Sequence, residues 1–166
     1  MKLESIVVAV LALSTAGGAA AATALASPLV TPVPAKPYVG DVLAAARSND
    51  AYRRVVFTGA KTQLALMSIP AGGDIGVEVH PHAEQLIFVV DGHGKAILDG
   101  AESRLAPGDV VLIPPGSRHD VVNVGSEPLR LYTVYAPPYH IDGRLQQTKA
   151  DADADKADEA FGRSVR

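Results

Sequence analysis

Metal-binding donor atoms are concentrated in one short segment, VEVHPHAEQ, which spans residues 77–85. The donors there are carboxylate, imidazole and amide groups, and a further imidazole follows later: Glu78, His80, His82, Gln85 and His119. Residues i and i+2 of a strand share a face, so Glu78 and His80 can point together into a barrel. Two histidines with one carboxylate and open positions are typical of non-haem Fe(II) centres, and Mn, Co, Ni or Zn accept the same donors.

Two glycine-bounded segments carry these residues, GGDIGVEVHPHAEQLIFVVDG at 72–92 and GDVVLIPPGSRHDVVN at 108–123. The second has the spacing Gly-x5-Pro-x-Gly-x2-His-x3-Asn and resembles the full second motif of the cupin superfamily. The first segment fits the other cupin motif when Glu78 and His80 take its paired positions and Gln85 follows. Its spacing is then Gly-x5-Glu-x-His-x4-Gln-x6-Gly.

The resemblance implies that Glu78, His80, Gln85 and His119 bind one divalent transition metal. In the competing register, His80 and His82 form the usual His-x-His pair, but the next ligand-capable residue then follows too early. His82 is therefore the alternative candidate for one ligand position. Gln85 stands where the family usually has glutamate, which removes a negative charge and should weaken metal binding. The sequence leaves the metal open among Fe, Mn, Ni, Co and Zn.

Short strands and regularly spaced turns surround these segments. Gly92, Gly100, Gly108, Gly116 and Gly125 mark turns at intervals of eight, eight, eight and nine residues. This spacing indicates an all-β sandwich or barrel, and the family resemblance implies a jelly-roll barrel, or double-stranded β-helix. We expect strands at residues 52–58, 62–69, 75–80, 85–90, 95–98, 102–105, 110–113, 118–124 and 129–135.

The remaining sequence defines the domain organisation. Residues 1–26 are predicted to be a secretory signal peptide, because a short charged start precedes an apolar stretch ending in Ala-Leu-Ala. A Pro-rich linker is expected at 27–38, the barrel at 39–145 and a charged tail at 146–166. The barrel segment begins with a short helix near Asp41, and the tail is expected to form a solvated helix. We expect a periplasmic or secreted protein, attached to a membrane only if the signal segment stays uncleaved.

Several other polar residues are expected to have structural roles. Arg118 and Asp120 flank His119 and should face outward, where they can form an ion pair. Glu84 and His93 are expected to be solvated turn residues. Aromatic side chains that could rim a cavity mouth are Tyr132, Tyr135, Tyr139 and His140.

Composition excludes several classes of function. The chain has no cysteine, so disulfides and thiol chemistry are absent. Its net charge is −3, with the acidic excess in the tail, so nucleic-acid binding is not expected. The expected partner is a small-molecule ligand or substrate, and resemblance to cupins implies that a homodimer can form.

The resemblance extends beyond the two motifs. The segments LALMSIPAGG, LRLYTVYAPP and TKADADA are similar to small single-domain, type-2 cupins that are loosely labelled mannose-6-phosphate isomerase-like. Membership of this group implies a metal-binding barrel. We expect an exported metal-dependent enzyme of the oxygenase, isomerase or lyase type that acts on a small polar molecule. The alternative is a non-catalytic module that binds a small ligand or a metal.

Overall fold

The computed structural model describes residues 37–166. The expected signal peptide and nearly all of the expected linker lie outside these residues. The helices of the described part are α1 Val42–Arg47, α2 Lys149–Ala154 and α3 Lys156–Ser164. Within residues 37–166, no helix is both long and apolar enough to cross a lipid bilayer.

The strands are β1 Arg53–Thr58, β2 Gln63–Ile69, β3 Glu78–Val79, β4 Glu84–Asp91, β5 Gly94–Leu98, β6 Ala101–Leu105, β7 Val110–Ile113, β8 Arg118–Asn123, β9 Leu129–Ala136 and β10 Leu145–Gln146. They form a six-stranded sheet in the order β10-β1-β2-β9-β4-β7 and a four-stranded sheet in the order β3-β8-β5-β6. Neighbouring strands pair in antiparallel fashion. The predicted all-β jelly roll, or double-stranded β-helix, is confirmed.

The inner faces of the strands form the main hydrophobic core. It contains Tyr52, Met67, Ile69, Ile75, Ile87, Val89, Ala96, Leu105, Val111, Ile113, Val121, Leu129 and Leu131. Alternation along β4 buries Gln85 with Ile87 and Val89, and β8 buries His119 beside Val121. Polar side chains therefore enter the barrel on the same faces as the apolar core.

Helix α1 covers the outer face of the larger sheet. The Asp41 side chain caps the helix by accepting a 3.0 Å hydrogen bond from the backbone N–H of Ala44. Ala46 then packs against Leu66 and Val90. This contact explains why β2 is apolar on both faces and not only on the face toward the barrel.

A two-residue turn joins β5 to β6. Asp99 has φ 48° and Gly100 has φ 89°, and Leu98 pairs with Ala101 across the hairpin. Two consecutive positive φ angles are the requirement of a type I′ turn, which Asp-Gly meets readily. The turn predicted at Gly100 is confirmed.

The strand expected at residues 75–80 is much shorter than predicted. Regular pairing covers only Glu78–Val79, and Asp74 adds an isolated bridge to Val122. Gly76 between them has φ +81°, in the left-handed region that ends strand geometry. The strand is therefore confined to the residues that carry Glu78 into the barrel.

The C-terminal tail is helical, as expected, but it packs on the barrel, so the expectation that it is solvated is wrong. Strand β10 pairs with β1, and α2 and α3 follow with Asp155 between them. Asp158 and Gly162 of α3 are buried. Their burial results from contacts with His140 and Tyr139, which follow β9.

Candidate metal site

One carboxylate and two imidazoles meet inside the barrel. Glu78 and His119 are directly opposite each other in the pairing of β3 with β8, and His80 follows β3. The Nε2 atoms of His80 and His119 lie 3.4 and 4.0 Å from Oε2 of Glu78. One ligand atom from each of the three residues lies within 4.8 Å of the others. Such a group can hold a metal ion.

Backbone contacts orient the two histidines. The ring Nδ1 of His119 lies 3.0 Å from the carbonyl oxygen of Ser117, which accepts its proton and leaves Nε2 toward Glu78. The carbonyl of His80 accepts a 2.9 Å hydrogen bond from the N–H of Gly116. The Pro-x-Gly turn of the second motif therefore holds both histidine-bearing segments.

The polar atoms of this cluster fit a bound cation. Both ring nitrogens of His80, Nε2 of His119 and Oε1 of Gln85 are buried, and none has a hydrogen-bond partner among the described residues. Buried polar atoms without partners are costly. Electron-pair donors at His119 and Gln85, next to a carboxylate, suit a divalent transition metal.

Gln85 is held by its amide nitrogen. Nε2 donates hydrogen bonds of 3.1 Å to Oγ1 of Thr133 and to the hydroxyl of Tyr135, both on β9. This arrangement fixes the side chain and leaves Oε1 as a free acceptor. Gln85 is 1% exposed and lies on the inner face of β4.

His82 does not join the cluster. It is exposed and lies between His80 and the start of β4, outside the group of ligand atoms. Glu84 is half-buried at the first position of β4 and is not a solvated turn residue as expected. His93 is exposed in the turn before β5, as expected.

Arg53 is a site residue that the sequence analysis did not identify. Its guanidinium is buried, and Nη2 lies 3.5 Å from Oε1 of Glu78. Burial of the Glu78 carboxyl would raise its pKa, but its interaction with His80 and the charge of Arg53 lower that pKa to about 2. Glu78 is therefore a carboxylate at neutral pH. The sequence signal that could have identified Arg53 was a charged residue at an inward position of the strand segment RRVVF.

His140 and Asp158 form a second polar pair that was not predicted. Nδ1 of His140 lies 2.7 Å from Oδ2 of Asp158, and both residues are buried. Burial, and then the charge of Arg53, lower the pKa of His140 below its usual range. His140 is therefore neutral at pH 7 and donates from Nδ1 to the carboxylate of Asp158. The DADADKADEA composition of the tail gave no sign of this burial.

The four predicted rim residues divide between the two faces of the sheet. Tyr139 lies against His80, with ring centroids 4.2 Å apart, and lines the cavity beside the cluster together with His140. Tyr135 is fully buried and contacts His80. Tyr132 points to the outer face and stacks on Phe88, so its predicted place at a cavity mouth is wrong.

Arg118 and Asp120 do not form the expected ion pair. Among residues 37–166, Arg118 takes part in no salt bridge, and its backbone N–H donates to Oδ1 of Asp99. Oδ1 of Asp120 is buried. Burial, and then the charge of Asp74, raise the pKa of Asp120. Asp74, in the segment before β3, forms a bridge to Val122 of β8. Asp120 therefore lies near the carboxylate of Asp74 and not near a cation.

A double-stranded β-helix that carries a carboxylate and two histidines on its inner strands defines a barrel of the cupin class. The family model described as Cupin domain matches residues 65–135, and the chain belongs to the cupin superfamily. The matched segment begins within strand β2 of this chain and ends within β9. The match therefore contains all of the cluster but excludes Arg53, His140 and Asp158.

Individual relatives support this assignment. Uncharacterized protein YrkC of Bacillus subtilis (strain 168) is 36% identical over 123 residues, or 70% of this chain and 66% of that protein. The crystal structure of BH2720 from Bacillus halodurans matches with a TM-score of 0.71 and 38% identity, covering 72% of this chain and 95% of that one. Mannose-1-phosphate guanylyltransferase of Escherichia coli (strain K12) is 30% identical over 81 residues, or 49% of this chain and 17% of that protein.

Proposed function

We propose that this protein is a metal-dependent cupin enzyme that acts on a small polar molecule. The observation that supports it most strongly is the cluster of Glu78, His80 and His119, whose ligand atoms lie within 4.8 Å of one another. Gln85 supplies a fourth donor through its free Oε1. The metal is one of Fe, Mn, Ni, Co or Zn, because each accepts this mixture of imidazole and oxygen donors.

The chain's own residues prepare the site for chemistry. Ser117 fixes the tautomer of His119, and the hydroxyls of Thr133 and Tyr135 fix the amide of Gln85. Tyr139 covers one side of His80, with the ring centroids 4.2 Å apart. A metal bound there would supply a Lewis acid beside the cavity. This combination supports an oxygenase, isomerase or lyase reaction on a ligand with oxygen donors.

Elemental analysis of tag-free protein tests the metal site. The wild type is reconstituted separately with Fe, Mn, Co, Ni and Zn, and we expect close to one metal per chain for at least one of them. Glu78→Ala and His119→Ala should lose the metal. His82→Ala, which changes an exposed histidine of the same segment, should retain it. Absence of metal from the wild type, or its loss in His82→Ala alone, contradicts the proposal.

A non-catalytic module is the second candidate. The neutral amide of Gln85, where the family resemblance leads us to expect glutamate, leaves the cluster less anionic and favours a non-catalytic role. Turnover separates the two functions. Metal-loaded protein is incubated with catechols, keto acids and sugars while oxygen and substrate are measured. Consumption supports the enzyme, whereas saturable ligand binding without consumption supports the module.

Export is part of the proposal. The apolar segment before Ala26 supports cleavage by a signal peptidase, which would leave Ser27 as the first residue. The mass of the protein recovered from the periplasm of an expressing bacterium tests this. A mass that begins at Ser27 supports export, whereas full-length protein in the cytoplasmic fraction contradicts it.

A further inference from the structure

A cavity of about 360 Å³ lies between the candidate metal site and the C-terminal helices. Glu78, His80 and Arg53 form part of its wall on the barrel side. Residues of α2 and α3, including Lys156 and Arg163, form the opposite side. The volume is at the lower end of the range for small-molecule sites, which favours a small ligand.

Arg53 is the buried cation of this cavity, with 6% of its surface exposed. Nη1 donates a 3.2 Å hydrogen bond to Oε1 of Gln146, and Nη2 lies 3.5 Å from Oε1 of Glu78. Nε is buried and has no partner within the described residues. A buried guanidinium normally requires a well-placed anion. Its contact with Glu78 is at the limit of a hydrogen bond, and Gln146 brings no charge.

Glu78 is shared between Arg53 and the two histidines of the cluster. A divalent cation at the cluster would take up the charge of this carboxylate. The other buried carboxylate of the cavity, Asp158, already accepts hydrogen bonds from His140 and from the N–H of Ile141. Arg53 and the cation would then face one shared carboxylate, and the inner end of the cavity would carry excess positive charge.

The cations at the outer end of the cavity are already paired. Lys156 and Arg163 each form an ion pair with Glu159, and their side chains are largely exposed. Exposed pairs of this kind attract a further anion only weakly, since water and salt screen them. The unmatched charge is therefore at Arg53, where the low-polarity interior strengthens its interaction with a ligand.

We propose that the cavity binds a small organic monocarboxylate, with Arg53 as its anchor next to the metal site. The inference rests on the proposed function, because a bound cation is what leaves Arg53 short of negative charge. The planar guanidinium donates two parallel hydrogen bonds to a carboxylate, a geometry that a lysine ammonium does not reproduce. Tyr139 lines this cavity, and the ring of Tyr52 lies 5.5 Å from the guanidinium carbon of Arg53.

Propionate and its neutral analogue propionamide test the proposal on the zinc-loaded mature protein. Ligand-observed NMR titration measures both affinities. We expect propionate to bind about tenfold more tightly than propionamide, and Arg53→Gln to abolish that preference. Arg53→Lys should restore only part of it. Lys156→Gln is the matched control, since it removes an exposed cation from the same cavity, and it should change the affinity less than about twofold.

Several results would overturn the assignment of Arg53. These are equal binding of the acid and its amide, unchanged binding in Arg53→Gln, or an equal loss in Lys156→Gln. Displacement of propionate by inorganic phosphate at equal concentration would show a general anion site and would also overturn it. Urea unfolding shows whether Arg53→Gln and Arg53→Lys are folded under the conditions of the titration. If Arg53→Gln does not fold, the affinity of Arg53→Lys for propionate tests the role of Arg53.

Zinc content separates this inference from the proposed function. If the wild type and Arg53→Gln both hold zinc, the titrations test Arg53 alone. If the wild type takes up no metal, the proposed function fails. That result would overturn the inference as well, because Arg53 then keeps Glu78 as its counter-charge. Zinc uptake by both proteins with identical propionate curves would overturn the inference alone.

Discussion

Asp158, on the last helix, accepts a 2.7 Å hydrogen bond from Nδ1 of His140, which follows the last long strand of the barrel. Oδ1 of the same carboxylate accepts from the backbone N–H of Ile141 at 2.8 Å. One buried side chain therefore attaches α3 to the segment that lines the cavity. The C-terminal helix is a wall of the candidate site because of this contact.

Asp158→Ala should destabilise the protein strongly. The substitution leaves the N–H groups of His140 and Ile141 without their acceptor in a buried environment, which costs about 3 kcal/mol. Urea unfolding in the presence of a chelator measures the free energy of unfolding. The control is Asp153→Ala, which removes an exposed carboxylate paired with Lys149. It should cost less than about 0.5 kcal/mol, and equal losses in the two variants would contradict a special role for Asp158.

The stability of the protein should fall on acidification, and His140 should cause part of the fall. Burial lowers the folded-state pKa of His140, so its contribution is complete above the unfolded value of about 6.5 and is lost as pH decreases through the folded value. Burial would raise the pKa of Asp158, but its hydrogen bond with His140 lowers that pKa below its usual range, so its contribution to stability is also lost on acidification.

Replacement of His140 isolates its contribution to this pH dependence. We expect wild type to lose more free energy of unfolding than His140→Gln between about pH 7 and pH 5. Measurements use metal-free protein, because metal binding by imidazole ligands itself depends on pH. The remaining slope in His140→Gln includes His119, whose pKa burial also lowers. Parallel pH profiles for the two proteins would contradict a neutral buried His140.

The features that the sequence predicted depend on local pattern or fixed spacing. Strand alternation predicted that Glu78 and His80 share a face, and motif spacing added Gln85 and His119 as candidates for the same site. The strand around Ile75 was overestimated, because Gly76 has a backbone conformation that alternation does not reveal. Local sequence patterns were therefore sufficient to predict the barrel and the polar residues inside it.

The features that were missed depend on contacts between distant residues. Arg53 meets Gln146 across 93 positions and Glu78 across 25. Asp158 is one of five acids in an Ala-rich, charged segment, and only its position opposite His140 distinguishes it from exposed neighbours such as Asp153. No periodicity in a single strand or helix encodes such pairings. The residues of the cavity wall could therefore be identified only from the structure.

Gln85→Glu should have opposite effects on the metal-free and metal-loaded forms. The new carboxylate is buried where Oε1 now lacks a partner, so the metal-free protein should lose about 2 kcal/mol. With zinc present, the added charge should tighten binding by about tenfold and recover stability. Competition with a chromophoric chelator gives the zinc affinity, and thermal unfolding with and without zinc gives the stability.

Gln63→Glu is the matched control for this substitution. Gln63 is also fully buried, but its amide bonds to Thr58 and to the backbone of His140, outside the cluster. The variant should be destabilised without any gain in zinc affinity. Similar gains in both variants would indicate a general electrostatic effect, and no gain in Gln85→Glu would exclude Gln85 from the metal site.

Gly162→Ala tests whether α3 packs closely on the cavity wall. A β-carbon at this position would lie 2.8 Å from Cε1 of Tyr139 and 3.1 Å from its carbonyl oxygen. Alanine normally stabilises a helix interior by about 1 kcal/mol relative to glycine. Here the overlap should outweigh this gain, so we expect a net loss of at least about 1 kcal/mol in the free energy of unfolding.

Ala160→Gly calibrates the helix propensity, because Ala160 is exposed on the same helix. It should cost about 1 kcal/mol from propensity alone. Tyr139 also lies against His80, so Gly162→Ala should weaken propionate binding to the zinc-loaded protein whereas Ala160→Gly should not. An increase in stability for Gly162→Ala would mean that α3 does not contact Tyr139 in solution. The cavity would then lack its outer wall, and ligand selection would depend on the barrel residues alone.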